Sequence, residues 1–80
     1  MEPNVVRFAQ SARKYQIGKA HVLHVLEHCE PTIVLAPKMK DSQLLWIGMD
    51  DRGVELEVVA VKMEKYLLVI HVMPHAFRRN

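Results

Sequence analysis

Apolar residues along this chain follow two rhythms, and the change between them divides it. Val5, Phe8, Ala9, Ala12 and Tyr15 fall at three- and four-residue spacings, which predicts one stripe of a helix over residues 5–16. Asn4 stands where such a helix would be capped, and Gly18 where a left-handed residue would end it. Val22, Leu23, Val25, Leu26 and Cys29 form a second stripe, predicting a helix over residues 19–29. Glu30-Pro31 stops it, because the residue before a proline avoids the helical region. Beyond Pro31 the runs are short, rich in Val, Ile and Leu, and alternating, as half-buried strands are. They predict strands near 32–36, 44–49, 54–62 and 66–73, with a polar loop from Pro37 to Gln43. Asp50-Asp51-Arg52-Gly53 has the residues of a hairpin turn. Pro74 cannot donate to a ladder and closes the last strand, leaving a basic tail over residues 74–80.

Connections this short between the last three strands leave no room for a crossover helix, so they form an antiparallel meander. The expected architecture is a single α+β domain over residues 1–80. Two N-terminal helices pack on one face of a four-stranded, mostly antiparallel sheet.

The 80 residues are half hydrophobic and a quarter charged, in the range of globular chains. So small a core is marginal alone, and exposed sheet edges invite pairing, so a homodimer or a partner protein is expected. The net charge of +2 is mild, but its placement is uneven. Arg7, Arg13, Lys14 and Lys19 lie early and Arg78 and Arg79 late, with Asp50, Asp51, Glu55, Glu57 and Glu64 between. The single Cys29 excludes an internal disulfide and suits a reducing compartment. No apolar run approaches the roughly 20 residues of a membrane helix, and Met1-Glu2-Pro3-Asn4 does not open a signal peptide. A cytoplasmic protein without a membrane partner is the expectation.

There is no Gly-rich phosphate loop, nucleophile elbow or Cys-x-x-Cys pair, so cofactor-borne chemistry has no support and no cofactor is expected. His21, His24 and His28 share a helix face, and His24 and His28 are spaced to reach one ion. Glu27 and Cys29 point off that face, so it is read as solvated, with no metal. Cys29 lies on the apolar stripe and reads as an inert thiol. The sheet is more informative. Alternation puts Glu55 and Glu57 opposite the helix-covered face, and His71 joins them if its register agrees. An odd-length connection near Glu64-Lys65 pairs Val59 with His71, and an even-length one loses that agreement unless a bulge restores it. A carboxylate and an imidazole on an open face suit metal-independent RNA cleavage. That reaction needs a base for the 2′-hydroxyl and an acid for the leaving 5′-oxygen. Glu57 is the candidate base and His71 or His75 the candidate acid. Arg52, Arg78, Arg79, Arg13 and Lys14 are candidate phosphate contacts. The plainer alternative makes Glu55 and Glu57 ordinary outward residues of a half-wet strand.

Three stretches together resemble a known family. They are Ala12-Arg13-Lys14-Tyr15-Gln16-Ile17-Gly18 with the following helix, Leu45-Trp46-Ile47-Gly48-Met49-Asp50-Asp51-Arg52-Gly53-Val54-Glu55-Leu56-Glu57-Val58-Val59, and Val69-Ile70-His71-Val72-Met73-Pro74-His75-Ala76-Phe77-Arg78. In order and spacing they resemble the RelE-like toxins of bacterial type II toxin–antitoxin pairs, closest to the BrnT-like group. The resemblance implies a RelE-like fold and an RNA-cleaving toxin held by an antitoxin that is often a DNA-binding repressor. Two other classes remain open. One is a non-catalytic module that holds a partner protein on the same face through Trp46 or Phe77. The other is a metal-binding regulator using the helical histidines.

Overall fold

The computed structural model describes residues 5–34 and 43–78. Strand β1 (Val6–Phe8) leads into a 3-10 turn (Gln10–Arg13), then helix α1 (Lys19–His28) and strands β2 (Thr32–Val34), β3 (Gln43–Met49), β4 (Glu55–Lys62) and β5 (Leu67–Pro74). A closing 3-10 turn (His75–Arg78) follows directly. The sheet has five strands in the order β1-β5-β4-β3-β2. Its only parallel pair among the described residues is β1 with β5.

This corrects the expectation of two helices on a four-stranded, mostly antiparallel RelE-like sheet. The described chain has one α-helix and a five-stranded mixed sheet. The error lies in residues 5–16. Their helical spacing is real, but Val6-Arg7-Phe8 alternates, and the β-branched Val5 and Val6 favour a strand. The free edge of β5 decides between the two. Leu67 N–H donates to Val5 O and Ala9 N–H to Val69 O, both at 2.9 Å, so the segment satisfies its backbone groups against β5. Gly18 is extended and precedes α1, and the left-handed residue is Gln16, with φ of 57°. Asn4, residues 35–42 and Arg79 lie outside the described residues, including the end of the expected strand 32–36 and most of the expected polar loop.

Leu56, Val58 and Ala60 of β4 face α1 together with Trp46 and Val72, and all are buried against Val22, Val25 and Leu26. The residue that caps α1, Cys29, comes close to the sheet at Gly48, where an added Cβ would meet Cys29 Sγ and lie 3.2 Å from Cys29 Cβ. The opposite sheet face carries Leu45, Ile47, Glu57, Val59, His71 and Met73. The closing turn packs against β4 and β5. Exchanging Gly48 for Ala should destabilise the fold by ~1–3 kcal/mol through overpacking. Urea denaturation checks this, and Cys29→Ala in the same background should recover part of the loss. A Gly48→Ala protein as stable as wild type would show that α1 does not rest on β3 there.

Candidate acid–base site

The register of β5 places the site. Near the β4–β5 connection the pairs are Lys62 with Leu67, Val61 with Leu68 and Ala60 with Val69. The connection, residues 63–66, is even in length. A regular ladder would then set His71 opposite Val58, in the core beneath α1. Between Val59 and Ala60 the register shifts. Ile70 is the extra residue, and His71 comes to lie opposite Val59 on the other face. A bulged residue leaves the ladder locally unpaired. Here Ser11 of the first 3-10 turn donates its hydroxyl to Ile70 O at 2.7 Å.

Glu57, His71 and His75 meet on that face. His71 Nε2 is 3.2 Å from Glu57 Oε2 and His75 Nδ1 is 3.7 Å from Glu57 Oε1. Neither nitrogen is aligned for a hydrogen bond, and both are buried atoms without a hydrogen-bond partner. Unliganded acid–base groups commonly show such loose geometry. The carboxylate side chain is 2 % exposed, against 35 % for His71 and 29 % for His75. Glu57 is therefore not the outward residue that alternation predicts, because the closing turn lies over its end of β4. The imidazoles stand between carboxylate and solvent.

The candidate phosphate contacts divide. Arg52 is taken up by Asp50, through Nε at 2.9 Å and Nη2 at 2.6 Å from Oδ2. Lys14 Nζ lies 5.5 Å from the Tyr15 ring centroid, and Tyr15 meets Phe77 edge-on at 5.7 Å. That chain adjoins the turn that carries His75. Arg13 lines a groove with Lys19 instead. Arg78 ends the closing turn, and Arg79 is beyond the described residues.

Sequence reasoning missed a second cluster, at the β3–β4 hairpin. Asp50 Oδ1 accepts from Arg52 N–H at 2.8 Å and Val54 N–H at 3.0 Å, while Gly53, at φ of 80°, closes the turn. An aspartate opening a turn two residues before an arginine is the local signal that was available. His21 pairs with Asp51 across α1 and the hairpin at 2.5 Å, and this hydrogen bond holds the Asp51 carboxyl below its ordinary range. One candidate ligand atom each from His21, Asp50 and Asp51 lies within 4.8 Å of the others. A cation there would have to displace the Arg52 guanidinium from Asp50. His24 and His28 stack at 4.1 Å between ring centroids, apart from this group.

Burial alone would raise the Asp50 pKa, but the Arg52 hydrogen bond and the two backbone donors outweigh it. They hold it at about 2, against an ordinary 3.8. A depressed carboxyl pKa contributes stability that is complete above the unfolded value and lost as pH falls through the folded one. Asp50→Asn should therefore cost about 2 kcal/mol at neutral pH, with most of the difference from wild type vanishing between about pH 4 and 2. Urea titrations across that range check it. A pH-independent difference would mean that the turn's geometry, and not the charge, is what Asp50 supplies.

Comparison with protein-family models, curated proteins and solved structures gives no match to this chain. Among the described residues no helix is long and apolar enough to cross a membrane. The functional reading therefore stands on the geometry of the Glu57 cluster.

Proposed function

We propose that Glu57, His71 and His75 form an acid–base centre for metal-independent endoribonucleolytic cleavage. The observation that carries this reading is a carboxylate almost wholly withdrawn from solvent, with two partly exposed imidazoles 3.2 and 3.7 Å from its two oxygens. A buried carboxylate behind two histidines is poorly placed to reach a substrate hydroxyl itself. The roles therefore move outward. One neutral imidazole takes the ribose 2′-proton as that oxygen attacks phosphorus, and the other, protonated, gives its proton to the departing 5′-oxygen. Glu57 is a positioning residue. It orients both rings by their inner nitrogens and stabilises the imidazolium that forms. Lys14, over the Tyr15 ring that meets Phe77 in the turn carrying His75, is a source of positive charge for the phosphorane.

The toxin role and its antitoxin partner belong to the same proposal as its cellular consequence. The RelE-like architecture does not, having been corrected above. A second reading, a face that holds a partner protein, has its own support. Ile47 and Met49 share the Glu57 face and are 44 % and 59 % exposed, and Phe77 is 60 % exposed. Trp46 cannot serve it, being wholly buried.

Cleavage of labelled RNA separates the two. His71→Ala and His75→Ala should each lower the rate by ~10²-fold or more, as loss of a general acid or base does. Glu57→Gln should lower it less and distort the pH profile. Expression in a bacterial host should arrest growth, relieved by both histidine variants. Abundant folded wild-type protein without cleavage or arrest would favour the partner-holding face, and cleavage unchanged in both variants would remove these histidines from the mechanism.

A further inference from the structure

A groove of about 440 Å³ runs between β1 and the first turns of α1, lined by Val6, Arg7, Phe8, Arg13, Lys19 and Leu23. Phe8, Arg13 and Lys19 continue into an adjoining hollow beside Ile17 and Gly18. Three cations line the groove, and no carboxylate does. This is not forced by composition. The chain has nine acidic residues for eleven basic ones, yet no described ion pair engages Arg7, Arg13 or Lys19. The first turn of α1 carries no acidic residue either. Like charges gathered without counterions repel one another, so the fold itself gains nothing from the arrangement. An anionic ligand would.

The lining also says which kind. Within it Lys19 Nζ lies 5.5 Å from the Phe8 ring centroid, and Arg7 extends beyond it to Tyr66, with Cζ 5.2 Å from that ring's centroid. Cations interleaved with aromatic faces match the alternation of phosphate and base in a single strand. An acidic peptide would meet the cations but would leave the aromatic face without the stacking partner that a base supplies.

We infer that this groove binds the phosphate backbone of single-stranded RNA through Arg13 and Lys19, a subsite that rests on the ribonucleolytic reading of Glu57, His71 and His75. It adds Lys19 and Arg7 to the binding surface and separates binding from chemistry in the chain. Arg13 and Lys19 are both exposed, so replacing them leaves the core untouched.

The test is fluorescence anisotropy with a labelled 2′-O-methyl oligonucleotide, which lacks the attacking hydroxyl and cannot be cleaved. At about 0.1 M salt, Arg13→Gln and Lys19→Gln should each weaken binding roughly 5-fold and flatten the salt slope by ~0.7, the release of one counterion from a single strand. Lys62→Gln, which removes an exposed lysine outside the groove, should bind as wild type does. Failure of the catalytic reading leaves this readout intact, because absent cleavage with binding that depends on Arg13 and Lys19 retains the groove. Three results overturn it. They are no binding by wild type, an unchanged affinity and slope in the Arg13→Gln, Lys19→Gln double variant, or displacement by an equally charged poly-glutamate peptide at the same concentration as unlabelled oligonucleotide.

Discussion

One extra residue in β5 decides which face of the sheet carries His71. Side chains alternate strictly along a strand, so a register slip of one moves every following residue to the other side. Ile70 supplies that slip. Before it, Leu67 and Val69 enter the core under the same rule that, unbroken, would bury His71 there too. After it, Val72 returns to the core and His71 and Met73 face the other way. The bulge is held from outside the sheet. Ser11 reaches Ile70 O because β1 runs parallel to β5 and delivers the first 3-10 turn to that point. The N-terminal segment thus fixes a site to which it contributes none of the three central residues.

Among the described residues two carboxylates are buried, Asp50 and Glu57, and they are treated differently. Asp50 accepts hydrogen bonds from four groups of its own hairpin, among them both atoms of a guanidinium fork. That arrangement locks a turn and ties its charge to a cation that never titrates in a protein. Glu57 is set against two imidazoles drawn from β5 and the turn after it. Burying a charge costs several kcal/mol unless it is compensated. The hairpin around Asp50 supplies four N–H donors to its carboxylate, while at Glu57 the inner nitrogens of His71 and His75 lie 3.2 and 3.7 Å from the carboxylate oxygens.

The meander was readable because alternation, Gly53 and Pro74 all act locally. Its strands β3, β4 and β5 pair in sequence. Residues 5–16 were not, since Val5, Phe8 and Ala12 fit a helical stripe while Val6 and Phe8 fit a strand, and only the distant edge of β5 chooses. The meeting of Glu57 with His71 could be read as a condition but not decided, because a bulge depends on whether a remote hydroxyl arrives to satisfy it. The burial of Glu57 lay beyond reach for a related reason. It follows from the path of the chain after Pro74, and six tail residues with only Ala76 and Phe77 apolar do not encode a direction by pattern. The engagement of Arg52 by Asp50 is not legible either, because Asp50-Asp51-Arg52-Gly53 encodes a hairpin turn but not the direction of its side chains.

The central claim is that Glu57 orients His71 and His75 by their inner nitrogens. Long-range proton–nitrogen correlations on the neutral rings read this directly. In the wild-type protein His71 should carry its proton on Nε2 and His75 on Nδ1, the atoms that face the carboxylate, and Glu57→Gln should abolish or mix that preference while the fold persists. Ring tautomers that are the same in wild type and Glu57→Gln, or protons on His71 Nδ1 and His75 Nε2 in the wild type, would contradict the account.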